Sequence, residues 1–143
     1  MIKLTNSEKE VMDVLWKSDQ PLTAREIVVN CVKKTWKSSY IHIMINSLLE
    51  KEMIQVEGQK RSGKNYARTY KPTMTEDEWY ATQLINQAKD RKNFISIVFK
   101  ELLEQIEDPE KIVELEEEIN KKKERNNIIY KNVIKNIYLY DII

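Results

Sequence analysis

The residues able to do chemistry in this 143-residue chain gather in two places. Ser38, Ser39, Tyr40, His42, Ile43 and Asn46 fall within one short stretch. Hydroxyl, imidazole and amide groups both donate and accept hydrogen bonds, which is what reading a base-pair edge requires, and an isoleucine can pack on a thymine methyl. Lys60, Arg61, Lys64 and Arg68 form the second group, in a span from Gly58 to Pro72 that holds no acid. Cations without acidic neighbours are suited to phosphate, which carries affinity without reading sequence. Nothing comparable points to catalysis. His42 is the only histidine and has no partner near it in sequence. Cys31 is the only cysteine, which excludes an intrachain disulfide framework and a multi-cysteine metal site. No phosphate-binding glycine loop and no nucleophile–base arrangement is visible. No catalytic residue, metal or cofactor is expected.

Each group also has a plainer reading. His42 is equally an ordinary exposed histidine, and the basic span an ordinary solvated loop. Cys31, inside an apolar helical stripe, reads as a small buried hydrophobe before it reads as a redox sensor. What separates the readings is the element that carries each group.

Thr5-x-x-Glu8, Thr23-x-x-Glu26 and Thr75-x-x-Glu78 are capping boxes, in which two side chains satisfy free N–H groups at a helix start. The first opens a helix with Val11, Met12, Val14, Leu15 and Trp16 at helical spacing, broken at Asp19-Gln20-Pro21. The second opens a helix with Ile27, Val28, Cys31 and Val32 inward. Lys33 to Ser38 is polar and turn-like, and Ser38 or Ser39 can cap a third helix. There Ile41, Met44, Ile45, Leu48 and Leu49 follow the i, i+3, i+4, i+7, i+8 rule of a buried stripe. The opposite face then presents Ser39, Tyr40, His42, Ile43, Asn46 and Ser47. The period next changes to that of strands. Met53 to Glu57 and Tyr66 to Lys71 read as a β-hairpin with a long, flexible tip, GQKRSGKN, holding both glycines of the chain.

Beyond Pro72 the pattern is helical. One helix runs from Thr75 to about Lys89. A second runs from about Lys92 to Ile106, with Ile95, Val98, Phe99, Leu102 and Ile106 on one face. A third follows the Asp108-Pro109 start with Ile112, Leu115 and Ile119, and ends near Lys121 to Lys123. So thin a region cannot make a core alone, which points to burial of these residues against a second copy. Trp16 and Trp79 read as packing residues. Trp36 either braces the third helix or lies against nucleic acid.

The fold expected is mainly α with a small β-hairpin: a winged helix-turn-helix over residues 1–73, a helical dimerisation region over residues 74–125, and a tail over residues 126–143 that can form a further helix through Ile129, Val133 and Ile137. In the winged plan the third helix enters the major groove and the hairpin lies on the backbone or minor groove. Charge agrees. Residues 1–72 carry 13 Lys/Arg against 8 Asp/Glu, and residues 73–143 carry 11 against 15. A basic half joined to an acidic half fits a polyanion at the first half. No apolar run approaches the roughly 20 residues of a membrane helix, and no signal peptide is visible, so a cytoplasmic location is expected.

The opening LTNSEKEVMDVLWKSDQPLTAREIV resembles that of the BlaI/MecI/CopY family of bacterial penicillinase-type repressors, through Leu4, Thr5, Glu8, Val11, Met12, Leu15, Trp16, Leu22, Thr23, Glu26 and Ile27. WKSSYIHIMINSLLEKEMI resembles the family's recognition helix and the start of its wing, and TYKPTMTEDEW the end of the wing. The likeness spans residues 4–80, loosens to about residue 120 and is absent beyond. It implies a homodimeric repressor on a palindromic double-stranded DNA operator, controlling an antibiotic-resistance-type, β-lactamase-like operon. The family's base contacts map to Ser39, Tyr40, His42 and Ile43. Relatives often carry Thr at the positions of Tyr40 and Ile43 and a basic residue at that of Ser47. Their aromatic-Gly-Gly turn is replaced here by Gln87-Ala88-Lys89-Asp90. The cysteine cluster of copper-responsive relatives is missing. Asn93-Phe94 is the residue pair cleaved in penicillinase-type relatives when a membrane sensor-protease triggers inactivation indirectly, but here it falls several residues before the position that the apolar pattern aligns, and it reads first as an ordinary helix start.

A winged module that binds protein rather than DNA is the competing reading. It calls for an unpatterned third-helix face and a neutral wing, the opposite of this sequence.

Overall fold

The computed structural model describes residues 2–140. The chain divides into two compact units, Met1–Lys89 and Asp90–Ile143.

The first unit opens with α1 (Asn6–Trp16), β1 (Leu22–Thr23) and α2 (Ala24–Asn30). A single 3-10 turn, Ser38–Tyr40, leads into α3 (Ile41–Glu50). A long hairpin follows, β2 (Ile54–Ser62) and β3 (Asn65–Pro72), and then α4 (Glu76–Gln87). All three threonine–glutamate capping boxes form, so the starts of α1, α2 and α4 are set locally.

The core is where the apolar periods predicted it. Val11, Met12 and Leu15 of α1, Ile27 of α2 and Ile41, Met44, Ile45 and Leu48 of α3 close on Met53, Ile54 and Tyr70. Trp16, Trp36 and Trp79 pack partly buried against this cluster. Val32 departs from the expected inward stripe and is 88% exposed. The reason is that α2 stops at Asn30 and Cys31 leaves helical geometry, so the 3.6-residue period no longer applies at Val32. Cys31 itself is buried, and burial pushes its thiol pKa up.

The sheet has three strands in the order β1-β3-β2. Leu22 and Thr23 pair with Tyr70 and Thr69, which ties the base of the wing to the start of α2. The hairpin tip is not the long, flexible loop expected from its glycines. The ladder runs to the pair Ser62 and Asn65, leaving a two-residue turn of Gly63 and Lys64. Gly63 takes a φ of 66°, and glycine is favoured at the first central position of such tight turns because it alone meets no steric cost there. Gly58 marks the other irregularity. Val56 pairs with Tyr70 and Gly58 with Thr69, so Glu57 bulges out of the ladder.

The second unit consists of α5 (Arg91–Glu104) and α6 (Pro109–Tyr140). Asp90 caps α5 by accepting from the Asn93 amide, and Asp108 caps α6 by accepting from the Glu110 amide at 3.0 Å. Neither the Lys121 to Lys123 run nor the Asn126-Asn127 pair ends α6. An asparagine costs a helix less than about 0.7 kcal/mol relative to alanine, too little to break one that lacks glycine and proline in its interior. The last three residues of the expected tail, and the side chain of Val133, lie outside the described residues.

Candidate nucleic-acid interface

α3 is held by its buried stripe, which leaves one side free. Tyr40 is 50% and Ile43 63% exposed, and Ser38, Ser39, His42 and Asn46 are exposed beside them. All six residues singled out from the sequence are therefore exposed. Ser38 and Ser39 do not cap the helix as expected. The 3-10 turn starts after Lys37 without any side-chain cap, so both hydroxyls remain available.

Ser47 leaves this exposed group. Its hydroxyl donates to Glu8 Oε1 at 2.6 Å and is half-buried. Glu8 is itself buried, with its other oxygen accepting from Lys51 Nζ at 2.7 Å and from the Thr5 amide at 2.8 Å. Burial works to raise the Glu8 pKa. The hydrogen bonds from Lys51, Ser47 and the Thr5 backbone outweigh it and hold the carboxyl below its ordinary value. The last turn of α3, at Ser47, and its C-cap residue, Lys51, are thus pinned to α1 by a charged, buried acceptor.

The segment entering α3 is pinned as well. The Thr35 amide and hydroxyl donate to the two oxygens of Glu10 at 3.1 and 2.8 Å. Trp36 packs partly buried against the core, as a brace for α3 would. Lys33 and Lys37, exposed on either side of this anchor, were not singled out from the sequence. Their position in the turn just before the patterned helix was the signal that could have marked them.

The wing sorts its cations by face. Residues directly opposite in a ladder share a side of the sheet, and alternate pairs point opposite ways. Arg61 faces Tyr66 and Gln59 faces Arg68, so the two arginines and Tyr66 lie on one side. Tyr66 is 72% exposed and was missed, because a tyrosine in a β-prone run reads as packing. Lys60 pairs with Ala67 on the side shared with buried Thr69. Its ammonium forms an ion pair with Glu26 of α2, and that bond, with the Thr23 backbone amide next, lowers the Glu26 pKa. Lys64 sits in the turn, and Arg61 Nε donates to the Gly63 carbonyl at 3.3 Å, bracing the tip.

In the second unit, Val98, Ile106 and Leu115 are half-buried, while Ile95, Phe99, Leu102, Ile112 and Ile119 are exposed. Ile97, Leu103 and Val113, not singled out from the sequence, are exposed too. Asn93 and Phe94 occupy the first turn of α5.

A family model described as Penicillinase repressor matches residues 4–121. The comparison with curated proteins gives no match.

Proposed function

This chain belongs to the penicillinase repressor family and is a transcriptional repressor of the BlaI/MecI/CopY type, and from that premise we propose that it acts as a homodimer binding double-stranded operator DNA. The observation that carries the reading is the division of α3 into a buried stripe and a rigid, hydrogen-bonding outer face. Ser39 and Tyr40 stand in the 3-10 turn that leads into α3, and His42 and Ile43 follow in its first turn, the part of a recognition helix that reaches deepest into a major groove. His42 suits a purine edge and Ile43 a thymine methyl. The half-site then mixes a purine with a thymine, and two copies read it as an inverted repeat.

The wing supplies affinity. Arg61, Lys64 and Arg68 meet phosphates, whereas Lys60 reaches DNA only by giving up Glu26. The exposed apolar residues of α5 and α6 are covered by the second copy, since patches of this kind mark interaction surfaces. The repressor works in the cytoplasm, on an operon of the antibiotic-resistance type.

A fluorescence-anisotropy titration of a labelled duplex at increasing salt tests the reading. Binding should weaken with a log–log slope of about −0.9 for each phosphate contact. Changing Arg61, Lys64 and Arg68 together to Ala should flatten that slope by about 2 to 3 units in total. No binding even at low salt would overturn the DNA reading and leave the protein-interaction module in its place.

A further inference from the structure

α4 is held to the first unit by little. None of its residues is fully buried. Gln83 Nε2 reaches the Ile2 carbonyl at 3.2 Å, and just ahead of the helix Trp16 Nε1 donates to the Met74 carbonyl at 3.0 Å. The densest contact is a cluster around Lys9 of α1. Its ammonium lies 5.0 Å from the Trp16 ring centroid, 5.6 Å from Trp79 and 5.4 Å from Tyr80. The rings also pack on each other, Trp16 against Trp79 at 5.7 Å and Trp79 edge-on to Tyr80 at 5.0 Å. Two carboxylates complete the shell. Lys9 pairs with Asp13 of α1 and stands 3.6 Å from Glu76 of α4, with its side chain 25% exposed.

A cation among three rings is directional in a way that apolar packing is not. Its attraction follows the ring faces and falls off beyond about 6 Å, so it rewards one rotation of α4 about its axis. An aliphatic residue at position 9 would fill the same space without that preference. The chain leaves α4 at Gln87 and enters the second unit at Asp90.

We propose that Lys9 is a positioning residue: it locks α4 onto α1 through Trp16, Trp79 and Tyr80, and so fixes where the chain leaves the winged unit and which half-site spacing a bound dimer accepts. The lock stands on the geometry alone. Its consequence for spacing rests on the DNA-binding reading above.

The test compares the full-length chain with Lys9→Met and Lys9→Arg. Hydrogen exchange of the amides of α4 measures the lock without DNA. Lys9→Met should exchange there about tenfold faster, with α1 to α3 unchanged, and Lys9→Arg should match the original chain. Binding to duplexes whose two half-sites are moved apart one base pair at a time measures the consequence. The original chain and Lys9→Arg should prefer one spacing by about tenfold, and Lys9→Met by about twofold at most. Unchanged exchange in Lys9→Met overturns the lock. Faster exchange with full spacing preference overturns its role in positioning. If Lys9→Met does not fold, Tyr80→Leu, which removes the most exposed ring, is judged by the same two outcomes. An original chain that binds none of the duplexes overturns the DNA reading instead, and the exchange arm then decides the lock by itself.

Discussion

At Glu8 one carboxylate accepts from the Thr5 amide, the Ser47 hydroxyl and the Lys51 ammonium. It caps α1 and anchors α3 with the same two oxygens. Its pKa is lowered in the folded chain, so its contribution to stability is present above the ordinary glutamate value and is lost as the pH falls through the lowered one. Urea unfolding followed between about pH 6 and about pH 3 should show a loss that Glu8→Gln does not share, on the order of 1–2 kcal/mol for these charge-assisted bonds. Equal losses in both proteins would show that the network is not what titrates. Half of this role was legible. Thr5-x-x-Glu8 announces a cap because its members are three residues apart. The bonds to Ser47 and Lys51 span 39 and 43 residues, and no local pattern encodes them. For the same reason Ser47 read as part of the outer face, and Lys60 as a free cation rather than the partner of Glu26.

Between α3 and the wing the backbone closes with a helix-ending motif. The Met53 amide donates to the Leu48 carbonyl at 2.9 Å and the Glu52 amide to the Leu49 carbonyl at 3.0 Å. This arrangement needs a left-handed residue, and Glu52 supplies it with a φ of 56° where glycine is the usual occupant. Relief of that strain, less the added freedom of glycine when unfolded, should make Glu52→Gly more stable by about 0.5–1 kcal/mol. Thermal unfolding should show a midpoint raised by about 2–4 °C, and a lowered midpoint would mean that Glu52 makes an interaction worth more than the strain. The elements themselves were largely legible, because capping boxes and apolar periods are local. What failed was local inference carried past an element's end, at Val32 after α2, or from composition alone. Gly58 and Gly63 looked like a loose tip, yet one makes a bulge and the other a tight turn, so the strands run nearly to the end of the hairpin.

On the scale of the whole molecule, a basic reading unit is joined to a unit whose large apolar residues stand open, among them Ile97 at 53% and Leu102 at 54% exposed. The sequence could announce these residues but not what covers them. The family match ends at residue 121, and α6 runs on to Tyr140. Selection of bound duplexes from a randomised pool tests the central claim most directly, because one readout reports binding, base preference and symmetry. The account predicts an enriched inverted repeat whose half-sites pair a purine with a thymine and whose centres lie about one helical turn, or a multiple of it, apart. A pool recovered with no sequence preference, or with a single unrepeated site, would contradict it.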